Sequence, residues 1–348
     1  GSALLGKLLA KGYRVRLLDV FLFGEEPIKE FLNHPNLEII RGDFRQVDLV
    51  VSAVKGVDAV IHLGGIVGDP ACALDEDLTI EVNLTATRTI AEIAKGFGIR
   101  RFIFVSSCSV YGASDNILNE RSALNPVSLY AKSKIASELV LHEMSDTTFS
   151  PTILRFSTIF GLSGRTRFDL VVNLLTAKAV KEGQITVFGG DQWRPFLHVD
   201  DAAESVLMTL EAPLSVIANK IFNVGDNQAN MTLQTAGERI KAQVPQATLL
   251  LMEADGDRRN YRVDFSKINK NLGFKVKHNL ESGIQQVIDA IRSGKVLDYK
   301  DPKYSNVLFF KTSNNILPHM GKDWIKNLLK ATSRTINESV LIQETTDD

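Results

Sequence analysis

The chain has 348 residues, with 40 Lys plus Arg against 41 Asp plus Glu, 44% hydrophobic and 23% charged residues, and a formal net charge of −1. These values describe an ordinary globular chain, long enough for one large domain or two joined ones. They argue against a nucleic-acid partner, since there is no basic excess, and against a membrane span, which needs a run of ~18 apolar residues.

In chain order, Leu4, Leu5, Leu8 and Leu9 form a helical apolar stripe, with Gly12 as its C-cap. A strand over 14–18 ends in Asp19, and a second over 37–41 is followed by Gly42-Asp43-Phe44. A helix over 46–55 leads to an apolar strand over 58–63 that ends in Gly64-Gly65. A long helix over 78–98, a strand over 101–105, a helix from Tyr130 to Met144 and a strand over 152–156 continue the alternation. Strands alternating with helices predict an α/β fold with a doubly wound parallel sheet of the Rossmann type.

After residue 160 the pattern becomes more interleaved. It predicts a helix over 168–182, a strand over 184–188, a helix from about 199 to 211 and a strand over 221–225, then helices over 233–244, 265–272 and 280–292. The expected organisation is a dinucleotide-binding domain over 1–160 and a smaller substrate-binding lobe over 161–298, whose strand near 220–225 returns to the main sheet. A C-terminal extension over 299–348 follows, with a helix over 323–330. Two cysteines, Cys72 and Cys108, cannot make a disulfide framework, suit a reducing cytoplasm and read as small buried side chains. The six histidines show no metal-ligand spacing, so no metal is expected.

The chemistry lies in Tyr130-Ala131-Lys132-Ser133-Lys134, which follows the Ser-rich strand end Ser106-Ser107-Cys108-Ser109. Only about one tyrosine hydroxyl in a thousand is ionised at pH 7. A lysine one helical turn later lies on the same face and is expected to lower that pKa. A serine from the strand end can hydrogen-bond the same substrate oxygen. Such a set suits reversible oxidation of an alcohol to a ketone.

At these residues the chain resembles the extended short-chain dehydrogenase/reductases, in particular their nucleotide-sugar epimerases and dehydratases. Matching through Val110-Tyr111-Gly112 places the catalytic hydroxyl of that family on Ser107, its base on Tyr130 and its lysine on Lys134. The resemblance also implies that about a dozen residues carrying a strand and most of a Gly-rich loop precede Gly1, which is then the third glycine of that loop. If Gly1-Ser2 is instead a cloning scar, the first helix still lacks its strand.

The implied cofactor is NAD. Asp19 is placed for the adenosine ribose, and with Val20-Phe21-Leu22 after it there is no arginine to hold an extra phosphate. Asp43 and Phe44 resemble the adenine turn, and Leu63, Gly64 and Gly65 resemble the small-residue strand end along which the cofactor passes. Asn83 matches a helix asparagine whose expected role is structural. Tyr130 and Lys134 also face the nicotinamide ribose.

The implied substrate is a nucleotide-diphosphate sugar. Arg194-Pro195-Phe196-Leu197-His198-Val199-Asp200-Asp201 resembles a motif whose arginine holds the diphosphate, with His198 and Asp201 structural. Asn173 resembles an asparagine lining the nucleotide site. Arg258 lies among three arginines that read either as substrate ligands or as a solvated loop. Glu253 stands where many epimerases carry a second diphosphate arginine, which leaves the base open. The resembling dehydratases place Asp-Glu directly after the catalytic hydroxyl residue, whereas here Cys108 and Ser109 follow. The expectation is therefore an NAD-dependent UDP-hexose 4-epimerase. A reductase of another alcohol and a non-catalytic cofactor-binding regulator remain as alternatives, and a homodimer is expected from the resemblance.

Overall fold

Strands follow one another as β1 (Val15–Asp19), β2 (Leu37–Arg41), β3 (Ala59–His62), β4 (Arg101–Ser107), β5 (Ile117–Leu118), β6 (Ser150–Phe156), β7 (Thr158–Phe160), β8 (Gln184–Phe188), β9 (Trp193–His198), β10 (Ile221–Val224), β11 (Asn230–Thr232), β12 (Thr248–Met252) and β13 (Arg262–Val263). The structure, a computed structural model, describes residues 1–254, 259–313 and 317–318. The expected helix over 323–330 lies outside them.

β10, β6, β4 and β3 pair in that order, all in parallel, and β1 pairs parallel to β2 in a separate two-stranded sheet. The side-chain period of two explains how one strand serves two cores. Phe102 and Phe104 of β4 face Val50, Val54, Ile90, Ala91 and Ala94, from the helices Val47–Val54 and Ala86–Gly96. Ile103 points the other way, into a cluster with Leu4 and Leu8 of the helix Ser2–Ala10 and Val206 of the helix Val199–Glu211. Helices on both faces of a parallel sheet make the doubly wound arrangement.

The predicted long helix is interrupted. It starts at Glu76 behind Asp75, whose carboxylate accepts from Leu78 N at 2.9 Å, and passes through a π-helical turn over Glu81–Thr85. That wider turn carries Asn83.

The remaining strands form small sheets beyond the main one: β11–β9–β7, β12–β8 and β13–β5. Around them Phe160, Ile185, Phe196, Ile240, Ile284 and Ile288 build a separate core. Asp201 ties this region together: its carboxylate accepts from the backbone N–H groups of Lys277 and His278 at 3.0 Å. Above it His198 and His278 stack at 4.2 Å. These three side chains approach closely enough to form a His-Asp-His cluster that their sequence spacing did not foreshadow. Both ring nitrogens of His198 are already engaged, by Gln286 and the Asp200 amide, which fits a structural role. Among the described residues no helix is long and apolar enough to cross a membrane.

One buried ion pair lies under the carboxyl ends of the central strands. Arg155 on β6 binds both oxygens of Glu138, with side chains 3% and 5% exposed. Arg155 also donates to the Tyr111 hydroxyl at 2.9 Å, which in turn donates to Asn223 of β10 at 2.7 Å, and Ser106 of β4 donates to Glu138. Removing one member strands a buried charge. Arg155→Met is therefore expected to lower stability by about 3–5 kcal/mol, and Arg155→Met with Glu138→Leu by less than the sum of the single changes. Urea unfolding of the three variants checks this.

Candidate active site

The helix Leu129–Glu143 carries Tyr130 and Lys134 on one buried face. Its start is fixed by Ser128, whose hydroxyl accepts from Ala131 N at 3.2 Å, so the helix begins one residue before the expected Tyr130. Ser107, the last residue of β4, accepts from Ser109 N at 3.1 Å, and its hydroxyl lies close enough to Tyr130 to draw the tyrosine pKa down in part. The three residues singled out by pattern therefore meet at one strand end.

The electrostatics differ from the sequence expectation. Burial raises the pKa of Tyr130 above the ordinary tyrosine value, and the Ser107 hydroxyl and the charge of Arg167 offset this only in part. The Lys134 ammonium lies 6.0 Å from the Tyr130 ring centroid, donates to Val105 O at 3.0 Å and sits 4.7 Å above the Phe104 ring. Burial pushes the pKa of Lys134 down to about 8. Desolvation thus acts on both groups, disfavouring phenolate and ammonium alike. The expected lowering of Tyr130 by Lys134 is not found: burial sets the direction of the shift, and the lowering influences are Ser107 and Arg167.

Asn83 holds the turn after β3. Its carbonyl accepts from Ile66 N at 2.8 Å, and its amide donates to Ile66 O at 2.9 Å and to Ser133 Oγ at 3.3 Å. That role agrees with the structural expectation. Gly64 and Gly65 owe their size to protein neighbours rather than to the cofactor alone. A Cβ on Gly64 would lie 2.6 Å from the Phe44 ring, and one on Gly65, whose φ is +156°, would lie 2.9 Å from Asn83 Oδ1. Leu63, between β3 and this turn, packs partly buried against the Leu4 and Ile103 core.

Two predicted ligands are taken by local partners. Arg45, 8% exposed, binds both carboxylate oxygens of Asp43 and reaches Glu81 at 2.9 Å, so Asp43 is not a free acceptor for adenine. Asn173, 2% exposed, accepts from Gly161 N at 3.0 Å and donates to Arg167 O at 3.0 Å. It shapes the loop after β7 instead of presenting its amide to a nucleotide. Arg194 stacks 5.5 Å from the Tyr261 ring centroid and donates to Trp193 O and Gln192 Oε1. Arg258 lies outside the described residues. Its neighbour Arg259 forms an ion pair with Asp69, so that part of the charged loop is not merely solvated.

Sequence reading missed Asp69 and Arg167, whose charges reach the Tyr130 hydroxyl. Arg45 was legible in principle, two residues beyond Asp43. Asp69 and Arg259 are separated by 190 residues and left no local signal. Both cysteines are buried, and burial pushes the Cys72 thiol up to about 11 and the Cys108 thiol higher still, so neither is a ready nucleophile.

A dinucleotide fits these residues on two observations. The helix Ser2–Ala10 starts at Gly1 with no side-chain cap and no acidic residue in its first turn, which leaves amide groups for a phosphate. Asp19 ends β1 with an exposed residue whose carboxylate accepts from Phe21 N at 2.7 Å and whose pKa is raised by desolvation.

The chain matches the family described as NAD dependent epimerase/dehydratase over residues 1–225. It is similar to an uncharacterized protein of Methanocaldococcus jannaschii, 30% identical over 265 residues that cover 73% of this chain and 78% of that one. It is also similar to the UDP-glucose 4-epimerase of Bacillus subtilis, at 27% identity over 81% of this chain and 90% of that protein. Among solved structures, the UDP-glucuronic acid 4-epimerase from Bacillus cereus in complex with UDP-glucuronic acid and NAD shares the fold with a TM-score of 0.76, at 24% identity over 84% of this chain and 96% of that one.

A lysine with a folded pKa near 8 and an unfolded value near ~10.4 costs stability while it is held charged; the cost is present below the folded pKa and released as pH rises towards the unfolded one. Lys134→Met removes that cost. The variant's stability relative to the parent is expected to fall between pH ~7 and ~10, as read from urea midpoints. A constant difference would mean that Lys134 carries no such penalty.

Proposed function

The chain belongs to the NAD-dependent epimerase/dehydratase family, and we propose that within it the protein is a nucleotide-sugar 4-epimerase acting on a UDP-hexose. The observation that carries this reading is the convergence of Ser107, Tyr130 and Lys134 near the end of β4, with Cys108 and Ser109 rather than two carboxylates directly after Ser107. Support for the epimerase branch also comes from the likeness to relatives named UDP-glucose and UDP-glucuronate 4-epimerase.

NAD, when bound, supplies a reversible two-electron acceptor for the sugar carbon being oxidised. Gly1 and the helix it opens would take the pyrophosphate, Asp19 the adenosine ribose, and Lys134 the nicotinamide ribose. Phe44, Leu63, Gly64 and Gly65 would wall the path between them, with Asn83 holding the wall. Tyr130, as the tyrosinate, would accept the C4 hydroxyl proton, becoming the neutral phenol, and return it after the sugar has turned its other face. Ser107 would hydrogen-bond the same oxygen, so the proton moves along a line already set in the protein. The positive charge of Arg167 favours that tyrosinate. Arg194 would hold the diphosphate by its guanidinium fork.

A 4,6-elimination needs a base for the C5 proton and an acid for the departing C6 hydroxyl. The two residues after Ser107 offer neither. Cys108 is fully buried, with its thiol on Arg155 O, and Ser109 is a neutral hydroxyl. The Asp69 carboxylate is held by Ser128 and Arg259, and that of Glu138 by Arg155.

Tyr130→Phe is expected to cut turnover by at least ~100-fold while leaving UDP-hexose affinity near that of the parent. Near-normal turnover would move the proton transfer to another residue. Incubation with UDP-glucose and UDP-galactose, followed by chromatography, should show the two interconverting without net NADH and without a 4-keto-6-deoxy sugar. Accumulation of that product would overturn the epimerase reading in favour of a dehydratase.

A further inference from the structure

Residues beyond the family-matched region fold back across the site. The chain turns at Pro302–Tyr304 and forms the helix Asn306–Thr312, capped by Ser305. At its start Asn306 is 6% exposed and uses its polar groups in three directions. Its backbone N–H donates to Asp169 Oδ2 at 2.9 Å, its side-chain amide donates to Val67 O at 2.9 Å, and its side-chain carbonyl accepts from Arg165 at 2.9 Å. Further along, Phe309 packs on Phe23 with centroids 4.5 Å apart, and Arg165 lies 3.4 Å over that same ring. Backbone contacts complete the strap: Phe168 N donates to Tyr304 O at 2.9 Å, and Arg165 donates to Lys303 O at 2.6 Å.

Both loops that Asn306 joins lead to the reacting tyrosine. The Val67 loop continues into Asp69, which accepts from the Ser128 hydroxyl at 2.7 Å, and Ser128 caps the helix of Tyr130. The Asp169 loop carries Arg167, held by two hydrogen bonds to Asp169 at 2.9 and 3.0 Å. Arg167 in turn lies against Gly68, where an added Cβ would be 3.4 Å from its guanidinium. A single buried amide therefore pins the two walls between which the sugar would lie.

We propose that Asn306 is a positioning residue whose strap holds the Asp69 and Arg167 loops together around Tyr130, and so sets how firmly the sugar part of the substrate is gripped. Its sugar clause rests on the epimerase reading, whereas its loop clause does not. The full chain with Asn306→Ala is compared with the parent by hydrogen exchange and by calorimetry with UDP and UDP-glucose. Exchange in segments 66–74 and 163–170 is expected to rise about tenfold, with β4 and the helix Ser2–Ala10 unchanged. Affinity for UDP-glucose is expected to fall about tenfold and affinity for UDP by less than about twofold, with the loss appearing in KM more than in kcat. Phe309→Ala, which leaves Asn306 in place, should give the same pattern more weakly and takes its place if Asn306→Ala does not fold. Unchanged exchange in both segments, a uniform rise along the chain, or equal loss of UDP and UDP-glucose would each overturn the proposal. A parent protein that binds UDP-glucose no better than UDP would instead refute the epimerase reading, and the exchange data would still decide the strap.

Discussion

The site depends most on the buried contact between Arg155 and Glu138. It fixes the helix of Tyr130 and Lys134 to the strand that ends beside Ser107, because Glu138 lies one turn beyond Lys134 and Ser106 directly precedes Ser107. Neither charge is accessible to water, so every lone pair and N–H must find a protein partner, and Tyr111 and Asn223 supply the rest. Such a network tolerates little sliding of the helix over the sheet. A shift that broke it would leave both a cation and an anion unsolvated.

The same dryness governs the chemistry. Burial moves Tyr130 up and Lys134 down, so the two groups move apart in proton affinity and neither carries its own charge cheaply. A reaction that first removes a proton and then returns it would need Tyr130 as the tyrosinate at its first step, and burial alone opposes that form. The surrounding charges are paired: Arg167 with Asp169, Arg259 with Asp69, Arg45 with Asp43 and Glu81. Local neutrality limits how far any one of them can pull the tyrosine.

Much of this was legible in the sequence, for identifiable reasons. Alternation of strands and amphipathic helices gave the parallel sheet, since Phe102, Ile103 and Phe104 already carry the period of two that splits them between opposite cores. Tyr130 and Lys134 were legible by their spacing of one helical turn, whereas Ser107 was picked out by the family resemblance around Val110-Tyr111-Gly112. Strands of two or three residues, such as β5 and β13, which pair with each other, and β7 and β11, which flank β9, are too short to show periodicity and exist only through distant partners. The local partners of Asp43 and Asn173 were not anticipated, because a residue type that can bind a ligand can equally bind its own neighbours. The break in the helix at Asn83 was hidden because a π-helical turn uses the same residue types as the turns around it.

The strap also has a consequence for how the molecule comes into being. The bond between Asn306 and Val67 spans 239 positions. At a synthesis rate of roughly 5–20 residues per second, its two ends leave the ribosome ~10–50 s apart. During that interval the sheet, its helices and the Tyr130 helix can fold while the Val67 and Arg167 loops still lack their shared tether. The nascent chain would therefore pass through a stage with the Tyr130 helix in place and the two loops untethered, a stage that the arrival of Asn306 ends.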